Sequence, residues 1–176
     1  YMTLNGSSMA TPVVAGAAAM ARQFLREEVN ISEPRSDLIK AILINGATDL
    51  GESNIPNPLE GWGQINISQS LYPKYGNQDS NLHFDYTRSL MPGHSFLYTF
   101  DISAESNLDA TLVWNDREGS VTGNQSISRL VNDLDLKITS PSGVVYYGNN
   151  FISGFSIPGS ISDTLNNVER VKLETL

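Results

Sequence analysis

Asn5-Gly6-Ser7-Ser8-Met9-Ala10-Thr11-Pro12 runs straight into Val13-Val14-Ala15-Gly16-Ala17-Ala18-Ala19, so a glycine and two hydroxyl side chains stand at the mouth of a long run of small apolar residues. Such a run predicts a buried helix with Ser8 in its first turn. The opening amides of a helix have no acceptor within it and carry the positive end of its dipole, so an anion forming beside Ser8 would meet unpaired donors. That is a place to put a nucleophile. Pro12 suits a first turn, which can spare an N–H that a helix interior cannot. A serine at such a place can equally be a plain helix cap, and local features alone leave both roles open.

Other residues with chemical potential are few. The only histidines are His83, in Leu82-His83-Phe84, and His94, in Pro92-Gly93-His94; both follow the serine at long range and read as sheet residues. Asp133 and Asp135 fall on one face of a predicted strand, and Asp116, two residues after Trp114, could come near them. Calcium favours such oxygen clusters, but an alternating charged face is also what a half-solvated strand presents, so these three are weak candidates. The Asn-x-Ser sequons at Asn30, Asn66 and Asn124 are weak for the same reason. There are no cysteines, which excludes disulfides and thiolate metal sites.

The elements that must position these residues have to come from 176 residues, enough for one ordinary domain or two small ones, of which 40% are apolar. Eleven basic against nineteen acidic residues give a net charge of −8, which argues against nucleic acid or an anionic membrane as partner. No apolar run is long enough to span a bilayer. The chain opens on Tyr1, almost on top of its best motif, and closes in a predicted strand; from this we expect further polypeptide on both sides.

The first helix is predicted from Met9 to about Glu28, apolar nearly all round and therefore buried on most sides, emerging into solvent where Arg22, Arg26, Glu27 and Glu28 appear. A second helix is predicted after Pro34, with Ser36 as its cap and Ile39, Ile42, Leu43 and Gly46 on one face. A loop rich in Asn, Pro and Gly runs from Gly51 to Gly63, and Ile65 and Ile67 suggest a short strand or turn. Beyond Lys74 the apolar period changes to two, placing a domain boundary between residues 1–74 and 75–176. Strands are predicted at Phe96–Ile102, Leu108–Trp114, Leu134–Ile138 and from Val168 to the end, with a hairpin turn at Ser140-Pro141-Ser142-Gly143 before Val144–Tyr147. Strands without intervening helices predict an antiparallel sandwich.

Gly6-Ser7-Ser8-Met9-Ala10-Thr11-Pro12 resembles the nucleophile motif of the subtilisin-like serine proteases, Gly-Thr-Ser-Met-Ala-x-Pro, with Ser7 in place of the threonine. The similarity continues through Val14–Ala19, the helix from Ser36 to Ala47, and Gly61-Trp62-Gly63-Gln64-Ile65-Asn66, which looks like the family's closing Gly-x-Gly-x-ϕ-Asn segment. The remainder resembles the β-sandwich that follows the catalytic domain in some bacterial alkaline members, carried by Leu130-Val131-Asn132-Asp133-Leu134-Asp135-Leu136. The fold class this implies is α+β: a helix-rich remnant of the family's α/β domain, then a jelly-roll-like antiparallel sandwich.

By this resemblance Ser8 would attack the scissile carbonyl after a histidine takes its proton, its own backbone N–H would contact the oxyanion, Gly6 would let the chain lie close to substrate, and Asn5 and Ser7 would shape the turn. The family's order is Asp, His, Ser, and neither histidine here has the Gly-Thr-His-Val-Ala-Gly setting of its base. Its Asp-Ser-Gly or Asp-Thr-Gly segment and its oxyanion asparagine are likewise not found. The resemblance therefore implies part of an extracellular serine endopeptidase acting on peptides or proteins through an acyl-enzyme, with no cofactor in the chemistry and calcium at most structural. The isolated chain is expected to be inactive. Its helical part is expected to be less ordered than the sandwich, to self-associate, or to rest on the missing part of the catalytic domain. The alternative is a non-catalytic sandwich that binds a partner and keeps the protease-derived segment as structure.

Overall fold

A computed structural model describes residues 6–51, 55–75, 78–102, 106–120, 128–159 and 161–174; Asn5 and Asn124 lie outside these. Helix α1 spans Ser7–Glu27, where alanines dominate and no acidic residue occupies the first turn. Gly6 leads into it at φ 146°, a region closed to ordinary side chains. At the far end Asn30 turns the chain in the left-handed region, φ 63°, and the Ile31 amide returns to the Leu25 carbonyl at 2.8 Å.

The burial of α1 differs from the expectation. Only Ala17, Ala21 and Leu25, one stripe at i, i+4 and i+8, are buried. Val13 is 60% exposed and Met20 53%, with Met9 and Val14 also in solvent. The last turns, expected to emerge, are the ones that pack, because Ala21 and Leu25 face the core while Arg22 turns away to pair with Glu33 at 3.3 Å. Pro12 also departs from its expected place. The helix starts at Ser7, so Pro12 lies in the second turn, four residues after Ser8, and leaves the Ser8 carbonyl without its intrahelical donor.

Helix α2 spans Ser36–Asn45, and Arg35, not Ser36, is the capping residue, with no side-chain cap bond. Ser36 is the first helical residue, and its hydroxyl accepts from Asn115 Nδ2 at 3.1 Å. Helix α3, Ile67–Leu71, replaces the expected strand or turn: Asn66 caps it by accepting the Gln69 amide at 3.0 Å. Gly46 ends α2 so close to α3 that a Cβ there would come within 2.4 Å of Ser70. Ala21, Leu25, Ile31, Leu38, Ile42 and Leu71 form the core between the three helices, with Phe84 and Tyr86 packed against it.

The strands make four two-stranded antiparallel ladders among the described residues, not two facing sheets. β1 (Lys74–Tyr75) pairs with β2 (Gln78–Asp79), and β3 (Leu108–Val113) pairs with β8 (Val168–Leu173) from Leu108↔Leu173 to Val113↔Val168. β4 (Lys137–Thr139) and β5 (Val145–Tyr147) form the expected hairpin, closed by the Gly143 amide on the Ser140 carbonyl at 2.9 Å with Gly143 at φ 84°. β6 (Phe151–Ile152) pairs with β7 (Phe155–Ser156). The described part of the predicted strand at residues 96–102 carries no ladder, and the strand predicted from Leu134 begins only at Lys137.

The helical and strand regions meet across residue 74. β3 packs on α2, and Thr111 Oγ1 donates to Asn45 Oδ1 at 2.8 Å. Arg170, 1% exposed, donates to both carboxylate oxygens of Asp109 and, at 2.9 Å, to the Asn45 carbonyl at the end of α2. None of the described helices is long and apolar enough to cross a membrane.

Candidate functional site

Ser8 is the second residue of α1 and is exposed. The Gly6 carbonyl accepts the Met9 amide at 3.0 Å and the Ala10 amide at 3.2 Å, while the amides of Ser7 and Ser8 precede any acceptor the helix could offer them. Thr11 Oγ1 donates to the Ser7 carbonyl at 2.7 Å and ties down the first turn. A Cβ placed on Gly6 would have only the Met9 sulfur, at 4.0 Å, within reach, so it is the backbone angle and not crowding that calls for glycine. The result is a hydroxyl and two free-facing amides at the positive end of a helix with no acidic residue in its first turn. Such a group can hold an oxyanion; by itself it cannot ionise the hydroxyl, which needs a base.

No described bond joins either histidine to Ser8. His83 lies 5.7 Å from the Phe100 ring at a tilt of 48°. His94 ends a turn in which its amide donates to the Met91 carbonyl at 3.0 Å. Neither has a described carboxylate partner of the kind that orients a catalytic imidazole.

The acidic candidates separate. Asp116 accepts from the Arg117 amide, the Val131 amide at 2.6 Å, and both the amide and Nδ2 of Asn132. Desolvation works against its charge, but the donors of Val131 and Asn132 outweigh it and hold its carboxyl below the usual range. Its role is to fasten residues 131–132 to the end of β3, where Trp114 Nε1 also donates to the Asn132 carbonyl at 2.9 Å. Asp133 is pushed up, first by burial and then by Asp135 and Asp163. Among the described residues no group of three or more His, Cys, Asp or Glu side chains could hold a metal ion. The hydrogen-bond partners of Asp116 are Arg117, Val131 and Asn132, and the groups that act on Asp133 are Asp135 and Asp163.

Sequence reasoning missed Asp163, Glu169 and Arg170. Asp163 accepts from the Leu165 and Asn166 amides and from Nδ2 of Asn149 and Asn166. Glu169 and Arg170 are buried on β8. The available signal was Val168-Glu169-Arg170-Val171, two adjacent charges inside an apolar strand pattern. Of the sequons, Asn66 spends its side chain on the α3 cap and on Thr48 Oγ1 at 3.2 Å.

The chain is similar in sequence to several known proteins. The subtilase family model matches residues 1–63. The chain is 31% identical, over 98% of its own length and 11% of the relative's, to the serine protease/ABC transporter B family protein tagA of Dictyostelium discoideum. It is 28% identical to that organism's tagD, over 95% of the chain and 12% of the relative. An extracellular serine protease of Serratia marcescens is 37% identical over 71 residues, 40% of the chain and 6% of that protein. The chain thus spans only 11–12% of the length of its Dictyostelium relatives. No solved structure matches significantly.

Proposed function

We propose, with residues 1–63 belonging to the subtilase family, that Ser8 is the nucleophile of a serine endopeptidase of which this chain is one part. The observation that carries this reading is the place of Ser8: exposed on the first turn of α1, directly after the glycine-turned entry, with uncommitted amides beside it. Ser8 Oγ attacks the peptide carbonyl as a base removes its proton, the new oxyanion faces the Ser8 amide and the helix terminus, and the amine leaves with a proton returned by the same base. Gly6 lets the backbone approach substrate, and Asn5 and Ser7 set the turn.

The base, its orienting aspartate and the oxyanion asparagine are assigned to polypeptide outside these 176 residues, since no described hydrogen bond joins His83 or His94 to Ser8 or to a carboxylate. The bare face of α1, with Val13, Val14 and Met20 in solvent, suits a helix that other parts of a catalytic domain cover. Peptides or proteins are the substrates, the setting is extracellular, and the chemistry needs no cofactor. We assign residues 1–74 to the catalytic domain and 75–176 to a jelly-roll-like sandwich completed by its neighbours.

A fluorophosphonate probe applied to the longer protein tests this. Labelling of Ser8, abolished in Ser8→Ala together with a drop in kcat on the order of 10⁶, is the expected result, and the isolated chain is expected to stay unlabelled. An unlabelled Ser8 in the longer protein would leave the binding-module reading in its place.

A further inference from the structure

We propose that Glu169 is a proton-gated clamp: with its carboxyl neutral it holds the β4–β5 hairpin against β8, and loss of the proton releases the hairpin.

The geometry begins with burial. Glu169 is 0% exposed, and its Oε2 accepts the Leu136 amide at 2.6 Å. Leu136 in turn accepts the Gly148 amide on its carbonyl at 3.0 Å. One carboxyl thus reaches the base of the hairpin at its entry, Leu136, and lies against its exit, Gly148. A Cβ at Gly148 would come within 2.4 Å of Oε2, so only glycine leaves room for the contact. The other oxygen, Oε1, is buried with no hydrogen-bond partner. A neutral acid leaves one polar atom unsatisfied there, whereas an anion would leave a buried charge.

The groups around Glu169 make that charge worse. Asp135, Asp163 and Asp133 all act on it, the first and last from the segment entering β4 and Asp163 from the turn before β8. Across the ladder its partner on β3 is the apolar Leu112. The neighbouring cations of β8 alternate to the other face: Arg170 is bound to Asp109, and Lys172 lies 5.4 Å from the centre of the Phe155 ring. Among the described residues no cation answers Glu169. Burial pushes its carboxyl up to about 7, the three aspartates add to the rise, and the Leu136 amide opposes it. The unfolded carboxyl titrates near 4.5, so the clamp's contribution is complete below that pH and is lost as pH rises through about 7.

Amide hydrogen exchange of the full protein tests the clamp, with a chelator present throughout to keep bound cations out of the result. Corrected for intrinsic rates, protection of the Leu136 and Gly148 amides is expected to fall at least about tenfold between pH ~5 and ~9. In Glu169→Gln, a neutral isostere, the profile is expected to be flat. A fall of equal size in that variant, or a flat wild-type profile, would overturn the proposal. Asp135→Asn, which keeps Glu169, is expected to move the midpoint to lower pH; an unmoved midpoint would overturn it equally.

Discussion

The first turns of α1 and the strand β8 invert the usual placement of side chains in opposite directions. In α1 the apolar Met9, Val13, Val14 and Met20 stand in solvent. In β8 the charged Glu169 and Arg170 are almost wholly buried. An exposed apolar face forgoes the free energy that covering it would supply, and the exposed hydroxyl of Ser8 sits on that same uncovered end of the helix. A buried charge is costly unless each of its groups finds a partner, and β8 shows two degrees of pairing: Arg170 is bound to Asp109 and the end of α2 with only its Nη1 unpaired, while Glu169 has one of its two oxygens unpaired and acids around it. The helix leaves apolar side chains in solvent, while the strand ties Arg170 to the end of α2 and Glu169 to the entry of the β4–β5 hairpin.

The largest effect that could break this comparison is at Arg170. Arg170→Met leaves Asp109 and the Asn45 carbonyl without their donor, and removing one partner of a buried pair costs about 3–5 kcal/mol. Urea denaturation is expected to show that loss, and Asp109→Asn on top of it is expected to recover part. If Arg170→Met cost less than about 1 kcal/mol, the pair would be a surface contact in energetic terms, and the strand would not be the anchor its burial suggests.

A matched pair on α1 comes next. Leu25→Ala empties a fully buried position in the three-helix core and is expected to cost about 2–5 kcal/mol. Val13→Ala removes a similar side chain from an exposed turn and is expected to stay within about 0.5 kcal/mol, since a β-branched residue yields to a better helix former. In the longer protein Val13→Ala is expected to cost more than in this chain. Equal small costs in both would show that the face stays bare and would weaken the reading of Ser8 as part of a larger domain.

What was legible in the sequence follows from the range of the forces involved. α1 and α2 were legible because alanine content and a helical period are local, and the β4–β5 hairpin because Pro141 and Gly143 write the turn. Helix α3 was not, since Ile65 and Ile67 alternate like a strand and the deciding bond is the Asn66 cap. Alternation from Phe96 to Ile102 predicted a strand, but a ladder needs a partner and no local pattern supplies one. Ser8 was legible as a motif, and its exposure was not, because α1 looks buried to anyone counting apolar residues. Glu169 and Arg170 were missed because alternation places charges outside, and only long-range contacts, β8 against β3 and β7 with bonds from Leu136 to Glu169 and from Arg170 to Asn45, bury them.

The smallest expected effect lies between the two regions, at Asp85, and it separates a surface network from the buried one on β8. Asp85 accepts from the Thr87 amide and hydroxyl at 3.0 Å each, from Arg88 Nε at 2.8 Å and from the Tyr98 hydroxyl at 3.0 Å. The Thr87 amide leads these donors in lowering its carboxyl to about 2, against a desolvation that would raise it. The unfolded group titrates near 3.8, so this contribution is present above that pH and is lost as pH falls toward about 2, the reverse of Glu169. Solvent screening keeps its worth below about 1 kcal/mol. Tyr98→Phe removes one of the four donors, and an NMR titration of the Asp85 carboxyl is expected to show its midpoint rise, with Arg88 still stacked 4.7 Å from the centre of the Phe96 ring. A midpoint unchanged by the substitution would mean that the turn at Thr87 and Arg88 holds Asp85 alone, leaving the residues from Phe96 onward unattached to it by any hydrogen bond that matters.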